Sequence, residues 1–244
     1  NGQTIRLVAE RVPADIGWGK YGVDLVVDAT GKFNNREGAS GHLVGGASHV
    51  LITAPGERMD LTVVMGVNDH LYDPKRHRLI SAASCTTNCL APVLHVLDRA
   101  FKVQSGWMTT VHAYTSDQRI LDNPHKDLRR ARSCANSIVP TSTGVRKALA
   151  EVLPHLAPRF EGMALRVPVQ DVSAVDLTVK VAGPVTLERV KDVFRQAAEG
   201  EMAPYLGYSE EPLVSSDYIG NPKSAVIDAL SLKVMDDQIK VLAW

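Results

Sequence analysis

The sequence predicts an α/β fold in two parts: an open, mostly parallel sheet over residues 1–83, then an α+β part with a mostly antiparallel sheet over 84–244. Three observations predict it. Apolar runs without alternation, separated by helix-length segments, occupy the first third of the chain, as expected of parallel strands. An amphipathic helix follows near residue 86. Beyond it, apolar stretches alternate or run long, as antiparallel strands do.

Taken in order, residues 4–10 read as a strand, and 23–29 (VDLVVDA) form a continuous apolar run ending at Thr30-Gly31. Residues 36–46 fit a short helix, 49–54 (HVLITA) a second strand ending at Pro55-Gly56, and 61–67 a third. Small residues close these runs, and open α/β sheets bind ligands beyond the carboxyl ends of their strands. Over residues 86–101, Leu90, Val93, Leu94 and Leu97 share one helix face, and Thr86, Thr87 and Asn88 can satisfy its first free amides. Strands are predicted at 107–112, 163–181, 225–234 and 238–244, with amphipathic helices at 144–153 and 187–199. Between them lies a polar stretch, 113–138, rich in Arg and His; connections of that length are commonly functional.

Composition narrows the classes. The 244 residues are 45% hydrophobic and 22% charged, which suits a globular core rather than disorder. Lys plus Arg equals Asp plus Glu at 27 each, so nothing favours nucleic acid or an anionic membrane surface. No apolar run is long enough to span a bilayer and no secretory signal pattern opens the chain, so a cytoplasmic protein is expected. The chain opens without Met on what reads as a strand in mid-fold and closes on an apolar strand. It therefore reads as part of something longer.

Three cysteines, Cys85, Cys89 and Cys134, do not make a disulfide framework, which leaves catalytic or buried thiols. Cys85 falls where a strand ends and a helix begins, so helix amides and the macrodipole favour its thiolate. Two other readings stand beside this one: a small core residue, or a zinc ligand with Cys89 and His112 or His125. The four-residue spacing, the core-side position of Cys89 and the lack of a second cysteine pair weigh against zinc, so no metal is expected. Cys89 and Cys134 read as structural. His112 closes an apolar strand that can hold an imidazole beside Cys85, the base that a thiol nucleophile needs.

Anion sites are read elsewhere. Thr141-Ser142-Thr143-Gly144 precedes a helix and offers hydroxyls and free amides to a phosphate. Arg166 stands alone in an apolar strand and needs a carboxylate or a ligand phosphate. Of the basic run Arg129, Arg130 and Arg132, the first and last read as solvated or subunit-facing surface.

Ser84-Cys85-Thr86-Thr87-Asn88-Cys89, Thr110-Val111-His112-Ala113-Tyr114-Thr115, the segment 125–132 (HKDLRRAR) and Arg166-Val167-Pro168 together resemble phosphorylating glyceraldehyde-3-phosphate dehydrogenase, in that family's order and along essentially the whole chain. The resemblance implies that residues 1–83 are the remainder of a doubly wound Rossmann-type cofactor domain and 84–244 the catalytic domain. It implies that Cys85 attacks the aldehyde of glyceraldehyde 3-phosphate, hydride passes to NAD or NADP, and phosphate cleaves the resulting thioester, with His112 as base. The substrate phosphate would meet Thr115 and Arg166. The attacking phosphate would meet Ser84, Thr86, Thr143 and Gly144, with Arg130 close by. Thr30, Gly31, Thr53 and Ala54 match cofactor contacts, and residues 113–138 match a loop lying against the cofactor of a neighbouring subunit in a homotetramer.

Residues 29–33 (ATGKF) and 122–125 (DNPH) most resemble the gluconeogenic, NADP-using branch. The family's opening strand, its glycine fingerprint and its terminal motif are not matched, so weak cofactor binding is expected of these residues alone. Val169-Gln170-Asp171 and Val145-Arg146 depart from the family's usual small or neutral residues. Three alternatives remain at this point: an erythrose-4-phosphate dehydrogenase that needs no phosphate, a Cys-His hydrolase or acyltransferase, and a non-catalytic fragment acting through a reactive thiol.

Overall fold

Short apolar runs in the first third of the chain pair in parallel in the computed structural model, which describes residues 2–244. Strands β1 (Leu25–Asp28), β2 (His49–Ile52), β3 (Leu61–Thr62) and β4 (Leu79–Ser81) form one sheet in the order β1-β2-β4-β3, every neighbouring pair parallel. Helix α1 (Arg36–Val44) follows β1. It starts where Asn35 leaves extended backbone and its Oδ1 accepts the Gly38 amide at 2.8 Å. Ala39 of α1 packs with Val50, Ile52 and Leu79 as the core of this unit, flanked by Leu43 and Met59. The chain leaves α1 through Gly46 (φ +103°), where a Cβ would lie 2.7 Å from the Gly19 amide nitrogen, so only glycine fits.

Three expectations are corrected here. Residues 4–10 form no strand: they lack regular structure, and Ile5 and Leu7 stand 80% and 90% exposed with no neighbouring strand to take their amides. The run at 23–29 is covered on one face only, since Val26 and Asp28 are buried while Leu25 and Val27 are exposed on the edge strand. The strand expected over 61–67 stops at Thr62, because buried Asn68 captures the backbone beyond it. Its Nδ2 donates to Thr62 O and its Oδ1 accepts from Val64 N, both at 2.8 Å, and the chain turns.

This unit takes in the chain up to Val64 and Asn68–Ser84; Met65–Val67 and Cys85–Trp244 form the second. The second opens on α2 (Cys85–Phe101), whose buried stripe of Leu90, Val93, Leu94 and Leu97 continues through Cys89 and Val96. Pro92 lies inside the helix and removes one rung of its ladder. α2 packs against α3 (Val145–Val152) and α4 (Leu187–Glu199), and beneath the sheet strands β8 (Ala174–Lys180), β10 (Ala225–Asp228) and β12 (Gln238–Ala243). α4 begins at Thr186, whose hydroxyl accepts the Arg189 amide, and buries Val190 and Phe194. Burying side chains of that size contributes about 1.5–3 kcal/mol each.

The sheet adds β5 (Ser105–Ala113), β6 (Val139–Thr141), β7 (Phe160–Val167), β9 (Leu206–Ser209) and β11 (Lys233–Met235). Its order is β6-β7-β5-β8-β12-β10-β9, with β11 on β12, and pairing is parallel only at β5–β7 and β9–β10. The stretch expected as one strand over 163–181 is two. Pro168 cannot donate to a ladder, and the turn after it passes through Val172 at φ +64°. The stretch 225–234 is also two strands, divided where Asp228 Oδ1 accepts the Leu230 and Ser231 amides at 3.1 Å. Strands β6 and β9, three and four residues long, carry too little pattern to be read.

Strand β7 approaches β5 closely at Gly162, where a Cβ would sit 2.6 Å from Met108 O and 3.2 Å from Val145 Cγ1. Because the first of these is backbone in a paired strand, Gly162→Ala is expected to destabilise by about 1–3 kcal/mol, as a lowered urea midpoint at unchanged m-value. Among the described residues no helix is long and apolar enough to cross a membrane.

Candidate active site

Cys85 is the first residue of α2, preceded by a tight turn in which Ala83 takes a left-handed conformation (φ +59°) and donates its amide to Ser81 Oγ at 3.1 Å. The last turn of β5 delivers His112, 8% exposed, whose Nε2 lies 3.2 Å from Cys85 Sγ. The hydrogen bond with His112 is the main cause that lowers the thiol's pKa. Burial opposes it, and a charge interaction with His112 and the Thr86 amide and hydroxyl add to the lowering. The thiol is exposed at the cleft mouth, whereas Cys89, one helical turn on, is buried. Its Sγ lies 3.9 Å from Ala243 O, and burial, with the Cys85 charge as a lesser cause, pushes its thiol up to about 12. Cys89 is thus inert packing, and Cys134 is buried too. Among the described residues no cluster of His, Cys, Asp or Glu suits a metal ion.

Arg166 reaches this site through strand register. In the parallel pair β5–β7, His112 stands opposite Arg166. Arg166 Nη1 donates to Ala113 O at 2.9 Å and lies 2.6 Å from His112 Nδ1. That nitrogen is also 2.6 Å from Ala113 O, so it faces a donor and an acceptor at once and can satisfy one of them. Arg166 Nε is buried with no hydrogen-bond partner. Burial depresses the Arg166 pKa and the nearby Arg130 charge adds to this, while the Cys85 thiolate opposes both. Two guanidiniums thus stand within each other's field, one with a buried, unpaired N–H, and neither is among the residues that line the adjoining cleft.

An open cleft of about 440 Å³ joins several of the sequence-read residues: Cys85, Thr86, His112 and Thr115 all line it. Its wall also carries Ser173, whose hydroxyl accepts the Ala113 amide at 3.2 Å, and Lys223 and Trp244, none singled out from the sequence. Only strand register could have found Ser173. Thr143 and Gly144 lie at the start of α3, where Gly144 takes the cap position with open space above it, and they are not among the cleft's lining residues. Arg130 is tied into the 113–138 loop, its Nε donating to Thr141 Oγ1 at 3.0 Å and its Nη1 to Asp117. Arg129 is exposed, and Arg132 is exposed and paired with Asp122 at 3.1 Å. Ser84, the residue before Cys85, belongs to the first unit.

In that first unit, Thr30-Gly31 and Thr53-Ala54 sit at the carboxyl ends of β1 and β2. Gly31 has φ +70° and nothing within 4 Å of where a Cβ would stand. Thr53 N donates to Asp28 O at 3.0 Å, and Ser81 Oγ donates to Ala54 O at 2.8 Å, so both strand ends are pinned. Small, pinned residues thus stand at adjacent parallel strand ends, the position beyond which open α/β sheets bind their ligands.

A lowered-pKa thiol held by an imidazole, in a chain that also carries a parallel sheet with small residues at its strand ends, is the equipment of an oxidoreductase that works through a covalent thiol. Residues 84–244 match the family model described as the glyceraldehyde 3-phosphate dehydrogenase C-terminal domain. Over its whole length the chain is 56% identical to glyceraldehyde-3-phosphate dehydrogenase 2 of Bacillus subtilis, covering 72% of that protein. It is 55% identical to glyceraldehyde-3-phosphate dehydrogenase of Geobacillus stearothermophilus and 51% to glyceraldehyde-3-phosphate dehydrogenase 2 of Streptomyces avermitilis, covering 73% of each. The chain belongs to the glyceraldehyde-3-phosphate dehydrogenase family.

Proposed function

We propose that the protein oxidises glyceraldehyde 3-phosphate to 1,3-bisphosphoglycerate with inorganic phosphate, through a thioester on Cys85. The observation that carries this is the 3.2 Å contact between Cys85 Sγ and His112 Nε2 at the start of α2. Residues 84–244 would form the catalytic domain and 1–83 part of the cofactor domain. NAD or NADP, held at Thr30, Gly31, Thr53 and Ala54, supplies a hydride acceptor when bound.

His112 draws the proton from the Cys85 thiol, and the thiolate adds to the aldehyde carbon to give a thiohemiacetal. The developing oxyanion takes a hydrogen bond from His112. Loss of hydride from that carbon leaves the thioester, and phosphate oxygen then attacks it, expelling the Cys85 thiolate. Arg166 and Thr115 would hold the substrate's own phosphate. Ser84, Thr86, Thr143 and Gly144 would receive the attacking one, with Arg130 beside them. An anion that draws Arg166 into the cleft frees His112 Nδ1 to donate to Ala113 O. That selects the tautomer whose Nε2 lone pair can accept the thiol proton.

Arg166→Leu is expected to lower the preference for glyceraldehyde 3-phosphate over glyceraldehyde by about 10–100-fold, the worth of a charge-assisted hydrogen bond to phosphate. Comparing kcat/KM for the two aldehydes measures it. The exposed apolar residues Ile120, Leu121 and Leu128 of the 113–138 loop support assembly as a homotetramer, and the cytoplasm is the proposed compartment. Absorbance of reduced nicotinamide with NAD or NADP, with and without phosphate, tests the function. Phosphate-dependent turnover is the expected result, with the NADP-using branch read from the cofactor ratio. Turnover indifferent to phosphate would favour a simple dehydrogenase acting on erythrose 4-phosphate.

A further inference from the structure

Away from the Cys85 cleft, a second buried histidine has both ring nitrogens engaged. His42 of α1 is 5% exposed. Trp18 Nε1 donates to its Nδ1 at 3.0 Å, and its Nε2 lies 3.2 Å from Asp28 Oδ2. An indole N–H can only donate, so Nδ1 must present its lone pair. The ring proton then sits on Nε2 and is donated to Asp28. The rings of Trp18 and Phe33 pack against the imidazole with centroids 6.0 Å away in each case, which restrains it further.

Asp28 is the point where this chain of bonds meets the strand ends proposed to receive the cofactor. Its other carboxylate oxygen accepts from Thr30 N at 2.8 Å and from Thr30 Oγ1 at 2.7 Å. Its main-chain oxygen accepts from Thr53 N at 3.0 Å and from Thr53 Oγ1 at 3.3 Å. One buried aspartate thereby joins the carboxyl ends of β1 and β2. The hydrogen bonds it accepts from Thr30 and His42 keep its carboxyl below the usual range despite burial. A carboxylate that holds the Thr30 turn on one oxygen is held more rigidly when its rotation is also restrained through the other. His42 fixes it.

We propose that His42 is a positioning residue for the nicotinamide dinucleotide: held as its Nε2–H tautomer by Trp18, it orients Asp28, which sets the Thr30–Gly31 turn and the Thr53 strand end to receive the cofactor. The inference rests on the dehydrogenase reading above.

Two substitutions separate this role from mere packing. His42→Gln can place an amide N–H where Nε2 stands and keep the donor to Asp28. His42→Asn reaches only the Nδ1 position and leaves Asp28 Oδ2 without its donor. Hydrogen–deuterium exchange of the cofactor-free protein and steady-state kinetics of the same samples are the readouts. In His42→Asn, exchange over residues 28–32 is expected to rise about tenfold, and KM for the cofactor about tenfold with kcat within about twofold. His42→Gln should stay within about threefold of wild type in both. Trp18→Phe keeps an aromatic ring but removes the N–H, and should move both readouts in the same direction by about threefold. It serves as the test should His42→Asn fail to fold.

Unchanged exchange in these variants overturns the proposal. So does faster exchange with an unmoved cofactor KM, which would confine His42 to structure while leaving the dehydrogenase reading intact. A wild-type protein that reduces neither NAD nor NADP fails that reading, and this inference with it.

Discussion

Cys85→Ser is expected to lower kcat by on the order of 10⁴-fold, because a hydroxyl lacks the nucleophilicity of a thiolate and cannot form the thioester. The environment that lowers the thiol's pKa does little for an alcohol whose ordinary value is far higher. Stability should hardly move: Cys85 is exposed, so the exchange creates no cavity, and the unfolding midpoint should shift by less than about 0.5 kcal/mol. Cys89→Ser should behave in the opposite way. That thiol is buried with its Sγ against the Ala243 and Trp244 carbonyls, so the change costs stability and leaves the chemistry in place. Steady-state kinetics and urea denaturation of the two variants side by side check the pair.

His112→Asn is expected to cost about 10²–10⁴-fold in kcat, the usual worth of a positioned base. Its second signature is in the pH dependence of thiol alkylation. The His112 hydrogen bond is the largest influence that lowers the Cys85 pKa, and burial the largest that raises it. Without His112 the largest lowering influence is gone, and the Thr86 amide and hydroxyl are lesser ones, so the thiol pKa rises. The thiolate fraction at pH 7 then falls, alkylation slows there, and its onset moves to more alkaline pH. An alkylation profile unchanged in His112→Asn would mean that the helix terminus alone sets the thiol, and the base would have to be sought elsewhere on the cleft wall.

Much of this site was legible because its chemistry is local. A Cys at a strand-to-helix junction and a His closing an apolar strand leave marks within a few residues, and the structure puts the two 3.2 Å apart. Helix α4 runs over the residues its amphipathic pattern predicts, Leu187–Glu199, because the buried face that holds it in place is written in that pattern. What escaped depends on partners distant in the chain. Arg166 could be read as needing a partner, but its place opposite His112 follows from the β5–β7 register, which no local pattern encodes. His42 is one of eight histidines, and nothing near it in sequence announces Trp18, 24 positions away, or Asp28. The misjudged strands have the same origin. Residues 4–10 have strand-forming side chains and no ladder to join, while Asn68 ends β3 by capturing backbone groups six residues back. Pro168 inside 163–181 cannot donate to the ladder, and the strand expected there divides beyond Val167.

The central claim is that substrate carbon becomes bonded to Cys85. Rapid-quench mass spectrometry of the protein mixed with glyceraldehyde 3-phosphate and oxidised cofactor, in phosphate-free buffer, tests it most directly. The account predicts a burst of reduced cofactor, a matching acyl adduct on the peptide that carries Cys85, and loss of that adduct when phosphate is added. Turnover with no adduct, or an adduct on any other residue while Cys85 remains a free thiol, would contradict it.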